Sequence, residues 1–370
     1  MSNQAYSKKQ VERAGESLKQ DSILIDRKKF SEVMKVLSYW RFSHEEPLET
    51  AFALLQEETS KVEKHPIYGK RLKRLSSIRS KLQRFDTMSL KTMQDIGGCR
   101  AVVTSQKKVF KIAKALKKRP EFKSGNRFQI KNYIKKPKPD GYRSLHMIGR
   151  FFDSQGDKKK IEIQLRTYIQ HYWATAVEIV DIFTNQALKS NQGQESWKEF
   201  FVQASQMFSI MEDIPLFDTL DPQSRFIAFN QALLRDPSAL AVCSSLKKTM
   251  KRLKVIDSLE AYANSVQIVT EKIKDGSDSG YVILVVELRD DVGEVSFQVF
   301  SPEEAQTAER KYIANEKKYA GKDNFIVAMI STDSMGEIEK AYPNYFADSS
   351  LFIALLHLIR VSDGKLGARR

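Results

Sequence analysis

The seven residues 161–167, IEIQLRT, constrain this chain more than any other stretch. Ile161, Ile163 and Leu165 alternate with Glu162, Gln164 and Arg166. A period of two is the pattern of a strand with one buried face. The opposite face then carries an acid, an amide and a cation in a row, a spacing that lines a polar site. The second informative stretch, DIGGCRAVVTS, begins at Asp95 and reads as a turn feeding a buried strand, with Gly97 and Gly98 allowing close backbone approach.

The surrounding chain gives these strands a context. Residues 1–62 read as helices, HPIYGK as a turn, and RLKRLSSIRSKLQRF as one basic helix with Leu72, Leu75, Ile78 and Leu82 at helical spacing. QKKVFKIAKALKKR is an amphipathic helix with Val109, Ile112, Ala113 and Leu116 inward. RFQIKNYI and SLHMIGRFFDS are strands, and SQGDKK turns the second of them into IEIQLRT as an antiparallel hairpin. YIQHYWATAVEIVDIF is again a helix. This order predicts an α/β domain with a mixed sheet over residues 1–215. MEDIPLFDTLDPQ, with two prolines, is the candidate linker to a smaller α+β domain over 216–370. There SVQIVTEKI, YVILVVELRD, EVSFQVF and FIVAMIST read as strands, and a charged helix and a terminal apolar helix accompany them.

Charge separates the two halves. Residues 1–200 hold 41 Lys+Arg against 22 Asp+Glu, a net +19, whereas residues 201–370 hold 20 against 24, a net −4. A basic half is a footprint for polyanions such as nucleotides or nucleic acid. With 2 cysteines and 5 scattered histidines, neither a disulfide framework nor a thiolate or histidine-rich metal site is expected. The apolar runs YVILVV and LFIALL are too short to span a bilayer, so a cytoplasmic protein is expected.

The candidate chemistry follows from the polar residues. Asp95 just before one strand and Glu162 within another can converge at a sheet edge, hold a magnesium ion and accept a proton from an attacking hydroxyl. Between Lys70 and Phe85 stand six cations and no acid, a density suited to phosphates. Tyr142 in the turn PDGYRSLH can stack on a base. Phosphoryl transfer needs these parts: cations, metal ligands, a base and a positioned acceptor.

At these residues the sequence resembles the synthetase domain of the RelA/SpoT alarmone synthetases, with its nucleotidyltransferase-like fold, over about residues 60–190 and in four blocks. The resemblance implies pyrophosphate transfer from ATP to a ribose 3′-hydroxyl, with Mg2+ as the metal. The block RLKRLSSIRSK is similar to the ATP-phosphate helix and assigns Arg71, Lys73, Ser77 and Lys81 to ATP. DIGGCR assigns Asp95 to the metal; KPKPDGYRSLH assigns Tyr142 to stacking on the acceptor base and His146 to supporting it. EIQLRT assigns Glu162 as base and second metal ligand, and Gln164 and Arg166 to the acceptor side. The family's hydrolase needs a His-Asp pair, and no His-Asp dipeptide occurs.

The C-terminal third resembles the antitoxin half of CapRel-type fused toxin–antitoxins, a metal-free relative of a zinc-finger domain. In that resemblance Tyr342 and Tyr345, a YxxY motif, plug the ATP site and autoinhibit the enzyme, and a phage protein such as the major capsid protein is the trigger. The acceptor it implies is the 3′-terminal adenosine of tRNA, and Lys135, Lys136, Lys138 and Arg143 are then candidate contacts to the tRNA backbone. Two other readings stay open: a (p)ppGpp synthetase with a regulatory tail, which uses GDP or GTP as acceptor, and a catalytically dead nucleic-acid-binding module.

Overall fold

The structure, a computed structural model, describes residues 5–24, 26–73, 75–123, 130–187, 193–261, 281–287, 294–319, 322, 325–331 and 345–364. They form two compact units, one comprising Met1–Lys136 and Ser144–Thr167, the other Pro137–Arg143 and Tyr168–Arg370. The expected boundary near residue 215 falls inside the second unit.

The first unit is built on a five-stranded mixed sheet in the order β1-β2-β5-β4-β3. Its strands are β1 (Ile67–Leu72), β2 (Gly97–Val103), β3 (Ile130–Asn132), β4 (Leu145–Phe152) and β5 (Lys158–Thr167). β2 and β5 run parallel and the other pairs are antiparallel. The expected mixed α/β architecture is borne out. Ile161, Ile163 and Leu165 of β5 are fully buried against α3 (Glu45–Ser60) and α5 (Gln106–Leu116), whose Leu48, Ala51, Leu55, Val109, Ile112 and Leu116 complete the core of that face. The hydrophobic drive to bury this face fixes the register, because a slip of one residue would turn Glu162 and Gln164 into the core.

A second cluster in this unit packs α1 (Lys8–Lys19), α2 (Arg27–Phe42) and α4 (Leu75–Arg84) around Leu18, Leu37, Trp40, Ile78, Leu82 and Ile96. α1 starts at a capping box between Ser7 and Gln10, and Asp26 caps α2. Burial of Ile78 and Leu82 holds α4 at one rotation about its axis and thereby directs Ser77 and Lys81 away from that core.

One expectation is corrected here. The basic block is not a single helix: the IYGK of HPIYGK and the Arg71-Leu72 that follows form β1, and the helix begins only at Leu75. Pairing with β2 overrides helical spacing, since Ile67–Leu72 finds a full antiparallel ladder and the Lys73 N–H donates to the Ile96 carbonyl at 2.7 Å. Of RFQIKNYI, the strand keeps only Ile130–Asn132 among the described residues.

The second unit gathers α6 (Tyr168–Ala187), α7 (Gly193–Asp213), α8 (Pro222–Arg235), α9 (Pro237–Arg252) and the terminal helix around one aromatic-rich core. An antiparallel sheet β7-β6-β8 completes it: β6 (Tyr281–Glu287), β7 (Glu294–Phe300) and β8 (Phe325–Ser331). Val282 and Leu284 of β6 join the helical core, and Ile283 packs instead with Ala308 and Tyr312 of α10 (Ala305–Tyr319). The terminal helix α11 spans Tyr345–Val361. The stretch read as a linker is a compact turn: Phe217 is buried and Asp221 caps α8 with Pro222 at its first position. The strand expected over SVQIVTEKI lies outside the described residues.

Candidate active site

The face of the first sheet opposite α3 and α5 carries the polar residues. Strand register puts Arg71, Gly98, Glu162 and Ile148 in one row across β1, β2, β5 and β4, and Gly69, Arg100, Gln164 and His146 in the next. Gly69 matters to this row, because a Cβ there would stand 3.0 Å from Nε of Arg100. The missing side chain lets the Arg100 guanidinium lie flat on β1.

Glu162 is the centre of a hydrogen-bonded chain. His146 Nδ1 lies 3.0 Å from Oε1, and Gln164 Nε2 donates to Oε2 at 2.7 Å. Arg166 Nη2 in turn donates to Gln164 Oε1 at 2.9 Å. The Tyr133 ring meets His146 edge-on at 5.2 Å and fixes its plane. Burial alone pushes the Glu162 carboxyl up, but hydrogen bonding and charge from His146, the bond from Gln164 and the Lys81 charge outweigh it and bring the pKa to about 2. As held here Glu162 is an anion and a hydrogen-bond acceptor. Proton abstraction from a hydroxyl is most effective with a base nearer neutrality, so that role requires His146 or Gln164 to let go.

Asp95 stands two residues before β2 with both oxygens engaged. Lys73 Nζ meets Oδ2 and Lys81 Nζ meets Oδ1, each at 2.9 Å. The Lys73 carbonyl accepts from Arg41 Nε at 2.9 Å, which ties the β1–α4 connection to α2. The expected ATP residues therefore come from three elements: Arg71 exposed on the edge strand β1, Lys73 in the connection, Ser77 exposed and Lys81 half-buried on α4. Asp95, Lys73 and Lys81 touch directly. Lys81 also acts on Glu162 through its charge.

Asp95 and Glu162 are the donors the expected magnesium would have. Among the described residues no three His, Cys, Asp or Glu side chains converge on a common point. Mg2+ is ordinarily held by one or two carboxylates together with substrate phosphates and water, and Asp95 with an ionised Glu162 fits that pattern. Both carboxylates now bond to N–H donors that a metal would replace.

The acceptor-loop residues divide between the units. Lys135 and Lys136 are exposed on the first, the Lys135 ammonium lying 5.9 Å from the Phe110 ring centre. Tyr142, Lys138 and Arg143 belong to the second. There Lys138 Nζ sits 4.6 Å over the Tyr142 ring, and Tyr142 abuts Trp173 edge-on at 6.3 Å. Arg143 differs from the sequence expectation of a phosphate contact: its side chain is 7% exposed and its Nη1 is 2.6 Å from Oε2 of Glu212. Burial against a carboxylate satisfies the guanidinium inside the protein. Tyr342 lies outside the described residues, as does the side chain of Tyr345, whose backbone opens α11. Arg41, Tyr133, Gln170 and Glu212 escaped sequence reasoning. None stands in a recognisable motif, and only the fold brings them to their partners.

Comparison with known proteins bears on these residues. The family described as "Region found in RelA / SpoT proteins" matches residues 70–180, the segment that holds β2, β4, β5 and most of the candidate residues. The GTP pyrophosphokinase YwaC of Bacillus subtilis (strain 168) is 31% identical over 139 residues, 35% of this chain and 65% of that protein, so the match spans less than two thirds of that relative. Among solved structures, small alarmone synthetase 2 from Bacillus subtilis is 23% identical, covering 47% of this chain and 93% of that one with a TM-score of 0.39. Small alarmone synthetase 1 from Bacillus subtilis, bound to its product pppGpp, is 22% identical over 45% of this chain and 90% of that one, with a TM-score of 0.37.

Proposed function

We propose that this protein, whose residues 70–180 match the region found in RelA / SpoT proteins, is an ATP-dependent pyrophosphokinase whose acceptor is the 3′-hydroxyl of the tRNA CCA-end adenosine. One observation carries the reading: Asp95 held by Lys73 and Lys81, with Lys81 also acting on an ionised Glu162. Two carboxylates within reach of lysine ammonium groups suit a nucleotide triphosphate with its metal, because the lysines can exchange Asp95 for phosphate oxygens.

In the proposed reaction the acceptor 3′-oxygen attacks the β-phosphorus of ATP, the bond to the α-phosphate oxygen breaks, and AMP leaves. Arg71, Lys73, Ser77 and Lys81 neutralise and orient the phosphates. Glu162 orients the hydroxyl and takes its proton once substrate displaces His146 or Gln164, whose departure removes a bond that lowers its pKa. Asp95 and Glu162 would hold Mg2+, which would screen the charge on the transferring group. Tyr142 stacks on the acceptor base, with His146, Gln164 and Arg166 on the acceptor side.

Support for tRNA is electrostatic. A net +19 over residues 1–200 exceeds what a nucleoside diphosphate requires, and Lys135, Lys136 and Lys138 offer phosphate contacts. We further propose that the C-terminal region restrains the enzyme through Tyr342 and Tyr345 as the antitoxin half of an anti-phage toxin–antitoxin fusion. A phage protein, such as a capsid protein, releases it. Restraint by tyrosines stacked on the cations of the ATP site is physically adequate at about 0.5–2 kcal/mol per contact plus burial.

The second reading, a guanine nucleotide acceptor, draws on the named activity of the Bacillus relative. The test incubates the protein with ATP labelled in its γ-phosphate, bulk tRNA and GDP or GTP, with and without candidate trigger proteins. Label on tRNA supports the first reading; label confined to guanine nucleotide replaces it with the second. No helix among the described residues is long and apolar enough to cross a membrane.

A further inference from the structure

We infer that helix α7 positions the Pro137–Arg143 loop, and Tyr142 with it, so that Glu212 and Ser205 are positioning residues for the acceptor. The assignment of Tyr142 to the acceptor rests on the pyrophosphokinase reading; the grip of α7 on the loop rests on the geometry of the second unit alone.

The loop sets its own shape. Gly141 N–H donates to the Lys138 carbonyl at 2.9 Å and Lys138 N–H to the Tyr142 carbonyl at 3.1 Å. Asp140 Oδ1 accepts from the Tyr142 N–H at 2.9 Å, an Asx-type turn. These bonds close the loop on itself and say nothing of where it points.

Its direction comes from α7 at three places. Gly141 has φ +88°, and a Cβ there would stand 3.1 Å from Cα of Val202 and 3.2 Å from the Phe201 carbonyl oxygen, so loop backbone rides directly on helix backbone. Ser205 Oγ donates to the Gly141 carbonyl at 2.6 Å in a buried bond. Glu212 takes Arg143 at 2.6 Å and also accepts from Gln170 Nε2 at 2.9 and 3.2 Å. Phe201, Ser205, Phe208 and Glu212 recur at four, three and four residues, a single face of the helix. Between these grips sits Tyr142, braced by Trp173, whose indole N–H donates to the Phe201 carbonyl at 2.9 Å. α7 is itself fixed from elsewhere in the unit, since Phe352 of α11 packs edge-on against Phe208 at 5.3 Å.

A buried ion pair contributes little net stability, because desolvation offsets the attraction, but its geometry admits few alternatives. Arg143 adjoins Tyr142 in the chain. Anchoring its guanidinium at 7% exposure therefore restricts the path of the tyrosine backbone. Misplacement of a substrate-orienting group by about 1 Å can cost up to about a hundredfold in rate.

The test uses the full-length protein, Glu212→Gln and Ser205→Ala, read in two ways. Amide hydrogen exchange of the 137–143 segment should quicken in both variants, with the rest of the second unit unchanged. In steady-state transfer from labelled ATP to the acceptor used by the wild type, the KM for acceptor should rise by about tenfold in Glu212→Gln and less in Ser205→Ala, with the KM for ATP unmoved. Unchanged loop exchange in both variants overturns the inference. So does a KM that rises for ATP and acceptor alike, the mark of a merely structural loss. Should Glu212→Gln fail to fold, Ser205→Ala decides. If the wild type labels no acceptor at all, the pyrophosphokinase reading falls, while the exchange data still decide whether α7 holds the loop.

Discussion

Replacing Glu162 by glutamine should change not only transfer but the acid stability of the first unit, by an amount the structure sets. The Glu162 carboxyl drops from its ordinary 4.5 to about 2, and its side chain is 16% exposed, so solvent screens it only partly. A carboxyl whose folded pKa lies below its unfolded value stabilises the fold above the unfolded pKa and loses that contribution as pH falls through the folded one. At 1.36 kcal/mol per unit the contribution is about 3 kcal/mol at pH 7, and about 2 kcal/mol of it is gone by pH 3. Glutamine at 162 cannot titrate, so the stability gap between wild type and Glu162→Gln should narrow by about 2 kcal/mol over that range. Glu63 also falls to about 2, because its bonds from Thr104 and the bond and charge of Lys108 outweigh the upward push of burial, but it is common to both proteins and cancels in the difference. Trp40 lies in the first unit's α1–α2–α4 cluster, and Trp173 and Trp197 belong to the second unit. With phenylalanine at 173 and 197 in both proteins, Trp40 fluorescence in urea follows the first unit alone. A gap constant from pH 7 to pH 3 would refute the argument that His146, Gln164 and Lys81 hold Glu162 ionised.

Three further outcomes are expected. Lys81→Met removes an ammonium that meets Asp95 at 2.9 Å and lowers Glu162, so affinity for a non-hydrolysable ATP analogue should fall about tenfold to a hundredfold by calorimetry, as loss of a charged hydrogen bond predicts; unchanged affinity would remove Lys81 from the ATP site. Gly141→Ala should destabilise the second unit by about 1–3 kcal/mol in thermal unfolding, because φ +88° strains any residue with a Cβ; an unshifted Tm would show that the loop relaxes away from α7. Joint replacement of Tyr342 and Tyr345 by alanine should arrest growth of expressing cells without a trigger, and normal growth would show that the two tyrosines are merely structural.

Much of the site was legible because its signals are local. Alternation in IEIQLRT can be satisfied only with Ile161, Ile163 and Leu165 inward, so Glu162 and Gln164 had to share the outer face. The glycines after Asp95, the density of cations before it and the turn around Tyr142 are likewise properties of neighbouring residues. β1 was not legible, since its reason lies in β2: helical spacing over Leu72–Leu82 is real, but a ladder to residues 97–102 outweighs it up to Leu72.

What a side chain does with its charge depends on its partner, and partners are a tertiary property. Arg143 and Lys138 look equivalent in KPKPDGYR, yet Arg143 is buried on Glu212, 69 residues on, whereas Lys138 lies over the Tyr142 ring. Asp95 and Lys73 read as separate ligands until α4 brought Lys81 to the other carboxylate oxygen. The sequence by itself determined the kinds of groups available, their strands and their outward face, because these follow from periodicity. Only the tertiary structure decided which charges are spent on each other and which remain for a substrate, because Coulombic energy and desolvation depend on distances between residues far apart in the chain.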